Sequence, residues 1–237
     1  MDLPSPLSRG TLQKRYKRFL ADVTLDTGEE VTAHVPNPGA MMGLKTPGFG
    51  VWLSRSTNPK RKLPLTLELV EADNVLVGVN TSRPNDLAAE AIAAGRIAGL
   101  PSDAPMRREV RYGENSRIDI LLEPAGAPPI YVEVKNVHLM RQPGLAEFPD
   151  CVTTRGAKHL RELAMMRSEG ARTVMLYVVQ RPDCDRFSLA CDIDPGYAQA
   201  FATARSAGVE ALCYGCRVAI DEIVLEHRLE IAVPAGT

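Results

Sequence analysis

Two stretches decide how the second half of the chain folds: Arg117-Ile118-Asp119-Ile120-Leu121-Leu122-Glu123 and Ile130-Tyr131-Val132-Glu133-Val134-Lys135. Both alternate polar and apolar residues, which is the period of a β-strand with one buried face. The segment between them, residues 124–129, contains three prolines and one glycine and cannot continue a strand. The two stretches therefore predict a β-hairpin.

The polar positions of this hairpin converge. If the turn is centred on Gly126, antiparallel pairing places Asp119 opposite Glu133, with Cβ atoms about 5 Å apart. Lys135 is two residues further along the strand and shares the face of Glu133. Two carboxylates and an ammonium on one face are costly unless a cation or a substrate uses them. The alternative is an exposed sheet face with a salt bridge.

The chemistry of these groups suits a hard divalent cation. Mg²⁺, or Mn²⁺ in its place, takes oxygen ligands from one or two acids, from carbonyls, from water and from substrate phosphate. Asp119 and Glu133 would supply the acids, and the carbonyl of Val134 is a candidate third ligand. Lys135 would act on the attacking water or on the scissile phosphate. Glu90, on the helix that precedes the hairpin, is a further candidate catalytic acid; the alternative for Glu90 is a surface residue at the edge of the core.

Composition excludes some classes of protein. The 237 residues are 45% hydrophobic and 24% charged, which is typical of one large globular domain or two modest ones. The net charge of −1 gives no overall basic field, so a nucleic acid would be recognised by local patches. No apolar run approaches the roughly 20 residues of a membrane helix. Five cysteines, an odd number, and no signal-peptide pattern favour the cytoplasm.

The first 80 residues or so follow a different pattern from the rest. Five short strands with glycine-rich links predict a small closed β-barrel, and an OB-type barrel fits best because its loops and open face commonly bind single strands. Helix-and-sheet patterning begins near residue 83. We therefore predict an OB-like domain over residues 1–82 and a mixed α/β domain over residues 83–237.

Two basic clusters in the first domain are candidate nucleic-acid contacts. Tyr16 and Phe19 are interleaved with the first cluster, which strengthens the prediction, while the alternative for both clusters is a solvated turn or strand edge. The candidate residues are Arg15, Lys17 and Arg18 in the first cluster and Lys60, Arg61 and Lys62 in the second.

A second basic element follows the hairpin. Residues 136–154 are expected to be a long loop, and a helix is predicted to begin at Arg155. Arg155 and Lys158 lie in its first turns, where the helix dipole prefers anions. A phosphate docked at this end would relieve the conflict, so both residues are candidate nucleic-acid contacts; the alternative is that they are solvated helix charges. Cys213 and Cys216 have the spacing of a zinc pair, but buried free thiols are the simpler interpretation.

These motifs resemble known families. The order helix, three strands, helix, strand, with Asp119 and then Glu133-Val134-Lys135, resembles the restriction-endonuclease-like PD-(D/E)xK nucleases, although Ile118 replaces the usual proline. The chain from about Arg9 to Leu229 is more closely similar to the sugar fermentation stimulation protein A family of bacteria and archaea. The segments that carry this likeness include 15–19, 34–41, 79–81, 116–119, 131–137, 148–150, 153–160 and 208–210.

The resemblance implies a DNA-binding protein with an OB-type domain joined to a nuclease-like domain. Our first hypothesis is a protein that binds DNA without strong sequence specificity and carries a Mg²⁺-dependent phosphodiesterase site. The alternative is a non-catalytic DNA-binding or regulatory protein linked to sugar (maltose) metabolism. Exposed strand edges would also allow two subunits to pair.

Overall fold

The amino-terminal third of the chain forms a closed β-barrel in the computed structural model, which describes residues 1–113 and 115–232. The strands pair in the order β3-β2-β1-β4-β5-β6, and a parallel contact between His34 and Thr66 joins β3 to β5 and closes the barrel. Inward-facing apolar residues such as Leu12, Val23 and Leu53 fill it. The predicted small barrel is confirmed. Its strands are β1 (Ser8–Tyr16), β2 (Leu20–Leu25), β3 (Glu30–His34), β4 (Gly50–Arg55), β5 (Leu65–Ala72) and β6 (Val75–Gly78).

The rest of the chain forms a mixed α/β domain, as predicted. Its elements are α1 (Pro84–Ala93), β7 (Met106–Tyr112), β8 (Ser116–Leu122), β9 (Ile130–Val137), β10 (Leu139–Gln142), β11 (Gly144–Phe148), α2 (Thr154–Ser168), β12 (Arg172–Val179), β13 (Cys184–Leu189), α3 (Pro195–Ser206), β14 (Glu210–Val218), β15 (Ile223–Arg228) and β16 (Glu230–Ile231). The last five residues of the predicted domain, 233–237, and residue 114 lie outside the described part of the chain.

A six-stranded sheet in the order β15-β14-β12-β9-β8-β7 forms the centre of this domain. Strand β12 lies between β9 and β14 and is parallel to both, which explains its nearly continuous apolar sequence. Helix α1 packs on one face of the sheet through Leu87 and Ile92, and α2 packs on the other through Leu160 and Leu163. The result is three layers, with the predicted hairpin β8–β9 inside the sheet.

Residues 136–154 are not the loop that the sequence predicted. Strands β10 and β11 lie there and form a second sheet with β13 and β16. β10 and β11 form a tight antiparallel hairpin, and β11 also pairs in parallel with β13, which lies more than 30 residues further along the chain. Residues 149–153 remain irregular and lead into α2.

Buried polar contacts fix the barrel against the α/β domain. Glu68 of β5 is 3% exposed and accepts hydrogen bonds from Arg83, Ser54 and Asn80. Arg83 directly precedes α1, so this contact ties the start of the helix to the barrel. The barrel and the start of α1 are thus held as one unit.

Candidate active site

The hairpin register predicted from Gly126 is confirmed. Ile120 pairs with Val132 and Leu122 with Ile130, so the same register places Asp119 across from Glu133. Backbone pairing between β8 and β9 ends at Ile120 and Val132. Beyond that point the carboxylate of Asp119, rather than a backbone carbonyl of β8, accepts from β9. Its Oδ2 accepts a hydrogen bond from the backbone N–H of Val134 at 2.7 Å. The two strands therefore part at the position where the acids lie.

The backbone next to Asp119 is irregular on its other side as well. Strands β7 and β8 pair on either side of Glu109 and Asp119, but these two residues do not pair with each other. Glu109 has a φ of 54°, a left-handed conformation that is uncommon for a residue other than glycine. Such outliers cost about 1–3 kcal/mol and concentrate at functional sites. Asp119 is thus placed by a distorted segment of an otherwise regular sheet.

Glu133 is held through one of its two oxygens. Its Oε1 accepts a hydrogen bond from Lys135 Nζ at 2.7 Å and a short contact from His159 Nδ1. Arg155 donates to the other ring nitrogen of His159 at 3.2 Å, so the ring proton is on Nδ1 and points at Glu133. The second oxygen, Oε2, is buried and has no hydrogen-bond partner in the described chain. Glu133 therefore presents one oriented, unused acceptor.

The two carboxyl groups differ in their pKa values. Burial, reinforced by the charge of Glu133, raises the pKa of Asp119 to about 6. Burial also opposes ionisation of Glu133, but the charge of Lys135 and the hydrogen bond from His159 outweigh it and lower the pKa of Glu133. Glu133 is therefore ionised at pH 7, while Asp119 titrates close to neutrality.

A third acid and a tyrosine lie next to this pair. Glu162 of α2 is 5% exposed, and neither of its oxygens has a hydrogen-bond partner among the residues described. Lys158 Nζ lies 3.4 Å from its Oε1. The hydroxyl of Tyr112 is likewise buried without a partner, and burial followed by the charges of Glu133, Glu162 and Asp119 raises its pKa. We call Asp119, Glu133 and Glu162 the acidic centre, which these unpartnered groups extend toward α2.

The arrangement suits a divalent cation. The buried Oε2 of Glu133 and the carboxylate of Asp119 supply two oxygens, and the Val134 carbonyl faces the same gap because the N–H and C=O of one strand residue point to the same side. Nowhere in residues 1–113 and 115–232 do three or more His, Cys, Asp or Glu side chains form a metal cluster by themselves. A cation here would take its remaining ligands from water and substrate, as Mg²⁺ usually does.

The structure does not bring Glu90 to this centre. Glu90 is exposed and forms ion pairs with the amino group of Met1 at 2.8 Å and with Arg96 at 3.3 Å. Asn85 is the α1 residue that reaches the centre, and it donates to Asp119 Oδ1 at 2.8 Å. Glu90 lies five positions after Asn85, which places the two side chains about 140° apart around the helix. Glu90 therefore cannot share the face of Asn85.

The residues that the sequence did not identify are His159, Glu162, Tyr112 and Asn85. Arg155, His159 and Glu162 follow the spacing i, i+4, i+7, which marks one face of a helix. Polar residues at that spacing beside the apolar stripe of α2 were the available signal. Asn85 and Tyr112 had no comparable pattern.

The predicted nucleic-acid contacts in the first basic cluster differ in their exposure. Arg15 is half-buried, and its guanidinium donates to the carbonyls of four residues, so it holds the loop after β3 in place; these carbonyls belong to Arg18, Asn37, Gly39 and Ala40. Burial lowers the pKa of Arg15. Lys17 and Arg18 are exposed in the β1–β2 turn, with positive φ angles.

The second basic cluster is exposed in the loop between β4 and β5. Among its residues, Arg61 NH2 lies 3.2 Å from His34 Nδ1, while Lys60 and Lys62 point their charges to the surface. Arg155 and Lys158 are on the first turns of α2, where Thr153 caps the helix by accepting from Gly156 N–H. Arg155 reaches the acidic centre through His159, as described above.

The cysteines do not form a metal site. All five are free thiols. Cys213 and Cys216 lie on the same strand but pack into the cores on opposite faces of the sheet, so they cannot bind one zinc ion together. In the described part of the chain, none of the helices is long and apolar enough to cross a membrane.

Comparisons with known proteins cover nearly the whole chain. The profile of the domain described as "Sugar fermentation stimulation protein RE domain" matches residues 82–222, and that of the "SfsA N-terminal OB domain" matches residues 14–79. A curated relative from Rhodospirillum centenum, a "Sugar fermentation stimulation protein homolog", is 59% identical over 98% of this chain and 100% of its own length. Homologs so described from Chelativorans and Brucella ovis are 57% and 56% identical, covering 98% and 92% of this chain and 99% and 92% of theirs.

A solved structure is also similar. The structure of Pyrococcus furiosus SfsA in complex with Ca²⁺ matches with a TM-score of 0.87 and 25% sequence identity. The match covers 98% of both chains, so both domains and their arrangement are shared.

Proposed function

This chain belongs to the sugar fermentation stimulation protein family, and we propose that it is a DNA-binding protein whose α/β domain carries a divalent-metal-dependent phosphodiesterase site. The observation that carries the proposal is the parted hairpin β8–β9, where Asp119, Glu133 and Lys135 meet. The arrangement resembles that of the restriction-endonuclease-like PD-(D/E)xK nucleases, and these residues lie within the matched RE domain. The OB-type barrel supports a nucleic-acid partner.

Asp119, Glu133 and the Val134 carbonyl would hold the metal, Mg²⁺ or Mn²⁺. The buried, unpartnered Oε2 of Glu133 fits such a ligand, because a buried acceptor without a partner costs about 1–3 kcal/mol that a cation would remove. The structure of the Pyrococcus furiosus relative was determined with Ca²⁺, which prefers the same oxygen ligands. A bound metal would neutralise charge on the phosphate and acidify a bound water.

The surrounding residues have separate roles in this proposal. Arg155 and His159 orient Glu133 through Oε1, and Asn85 orients Asp119. Lys135 holds Glu133 in the resting state, and its ammonium lies where it can offset the charge of a scissile phosphate. Lys17 and Arg18 would contact the DNA backbone from the exposed turn of the barrel.

Cleavage of end-labelled DNA tests the proposal. Single-stranded and duplex substrates are incubated with Mg²⁺, with Mn²⁺ and with a chelator, using the wild type, Asp119→Ala and Lys135→Ala. Cleavage should require metal and should fall at least about 100-fold in both variants. Glu90→Gln is the matched control, because it removes a carboxylate that lies outside the centre, and its rate should equal that of the wild type.

Two results would change the proposal. Cleavage that persists in Asp119→Ala would show that the nuclease site lies elsewhere or belongs to a contaminant. Binding without cleavage under every condition would instead favour the non-catalytic DNA-binding or regulatory protein, in which the same acidic centre has no catalytic role.

A further inference from the structure

An exposed aromatic pair lies on the barrel beside two arginines. Phe19 is 41% exposed in the β1–β2 turn, and its ring stacks on that of His34, with centroids 6.5 Å apart and planes 23° from parallel. The Arg18 guanidinium lies 5.9 Å from the centroid of Phe19. Arg61 contacts the Nδ1 of His34 at 3.2 Å. Three separate segments of the chain thus build one aromatic surface with a cation at each end.

The His34 ring behaves as an aromatic surface rather than a cation. Arg61 is a donor only, so Nδ1 of His34 accepts and cannot carry a proton at the same time. Burial and the charge of Arg61 lower the pKa of His34. The positive charges beside this Phe19–His34 platform therefore come from Arg18 and Arg61.

Further exposed apolar side chains continue from this platform. Large hydrophobic residues are exposed at five described positions: Phe19, Met42, Val152, Met165 and Ile220. The first three lie on three segments that hydrogen bonds connect: the β1–β2 turn, the loop after β3 and the segment before α2. Arg18 donates to the carbonyl of Pro38 at 2.8 Å, which joins the platform to the loop that contains Met42.

The same loop joins the barrel to α2. The N–H of Met41 donates to Asp150 Oδ2 at 2.9 Å, and Val152 follows Asp150 by two residues. Arg155 comes three residues later, and it reaches Glu133 through His159. These hydrogen bonds connect the segments that carry Phe19, Met42 and Val152 to the start of α2, where Arg155 reaches the acidic centre. We name these three exposed residues, with Arg18 and Arg155, the stacking track.

We propose that the stacking track binds the unpaired bases of single-stranded DNA and leads the strand to the acidic centre. Bases in a duplex are stacked on each other and leave only phosphates and groove edges to a protein surface. Unpaired bases expose their faces, and aromatic side chains between cations are the platforms that bind them. The inference rests on the proposed function and specifies its substrate class.

Binding is measured by fluorescence anisotropy in a chelator, so that no cleavage occurs. The labelled probes are a 20-nucleotide oligothymidylate, a 20-mer of the same charge with abasic sites in place of the bases, and a blunt 20-base-pair duplex. We expect the wild type to bind the oligothymidylate at least about fivefold more tightly than the abasic strand, since stacking contributes about 1–3 kcal/mol per base. Phe19→Ala should remove about fivefold or more of this affinity, and Phe19→Trp should restore it.

The salt dependence separates stacking from charge. Phe19→Ala should leave the slope of log affinity against log salt unchanged, whereas Arg18→Ala should reduce it by about 0.7 for a single strand. Val152→Ser should weaken only the strand with bases. Ile220→Ala is the matched control, since it removes an exposed apolar side chain outside the track, and its affinities should equal those of the wild type.

The outcomes distinguish this inference from the proposed function. The stacking track would be overturned if the oligothymidylate and the abasic strand bound with equal affinity, or if both Phe19→Ala and Val152→Ser bound the oligothymidylate like the wild type. If the duplex still bound in that case, the proposed DNA-binding function would stand. Failure of all three probes to bind would overturn both. The inference would also be refuted if Phe19→Ala weakened binding to a protein partner but left the affinity for all three DNA probes unchanged.

Discussion

Asp119→Asn should stabilise the metal-free protein while it removes metal binding. Asp119 is partly buried, and its pKa rises from 3.8 to about 6 in the folded state. A shift of about two units corresponds to about 3 kcal/mol of folding stability, which is lost at pH 7 because this carboxyl group must ionise in the folded protein. Asparagine has the same shape and no charge.

The hydrogen bonds of this position survive the change. The side-chain oxygen of asparagine can accept from the N–H of Val134, and its amide can donate to Asn85 once the amide of Asn85 turns over. We therefore expect Asp119→Asn to raise the free energy of unfolding at pH 7 by about 2–3 kcal/mol. For a chain of this size that is a rise in Tm of roughly 4–12 °C.

The pH dependence gives the sign of the effect. A carboxyl group whose pKa is higher in the folded state adds stability below its unfolded pKa and loses it as pH rises through the folded pKa. The advantage of Asp119→Asn should thus be absent below about pH 4 and should develop between pH 4 and pH 6. Glu133 and Lys135 are the charged groups that act on Asp119, and both are present in both proteins, so the difference between the two unfolding curves reports the charge at position 119.

Urea unfolding in a chelator measures the predicted gain in stability, and the same experiment with Mn²⁺ measures the predicted loss of metal binding. Added metal should raise the unfolding midpoint of the wild type and leave that of Asp119→Asn unchanged. A variant that is less stable than the wild type at pH 7 would refute the argument that this buried charge opposes folding. Equal stabilisation of both proteins by Mn²⁺ would refute Asp119 as a metal ligand.

Three further predictions concern the surroundings of the site. Metal affinity should fall about tenfold per pH unit below pH 6, as Asp119 takes up its proton, which titration calorimetry between pH 5 and pH 8 would detect; a flat profile contradicts it. His159→Ala should weaken metal binding about 10–100-fold, since residues that hydrogen-bond a metal ligand hold it in position. His159→Asn keeps a donor toward Glu133 and should lose less; equal losses would contradict the orienting role. Arg83→Met leaves the buried Glu68 without its cation and should lower the free energy of unfolding by about 3–5 kcal/mol, whereas a loss below 1 kcal/mol would mean that Ser54 and Asn80 satisfy it.

Local patterns in the sequence predicted the central hairpin well. The turn at residues 124–129 is short and rich in proline, so its centre defines the register, and the register brings Asp119 to Glu133 without further information. The barrel was predictable for the same reason, because its strands are short, follow one another and pair mostly with their neighbours. Both results depend on contacts that are local along the chain.

The errors come from contacts that are not local. Glu90 was assigned to the site by its charge, but the rotation of α1 depends on its packing and on the contact between Arg83 and Glu68. Arg15 was grouped with the exposed cations, yet its partners are carbonyls of the loop that follows β3. His159 was not identified because its partner, Glu133, lies on another element of the fold, and Glu162 was not identified because its burial depends on how α2 packs against the sheet.

Anomalous diffraction from crystals grown with Mn²⁺ is the most direct test of the central claim. We predict one strong peak between β8 and β9, about 2.1–2.2 Å from the carboxylate of Asp119, from Glu133 Oε2 and from the carbonyl of Val134. The peak should be absent in crystals of Asp119→Asn. Mn²⁺ bound only elsewhere, with Glu133 Oε2 still unligated in the wild type, would contradict the claim that this hairpin is a metal-dependent phosphodiesterase site.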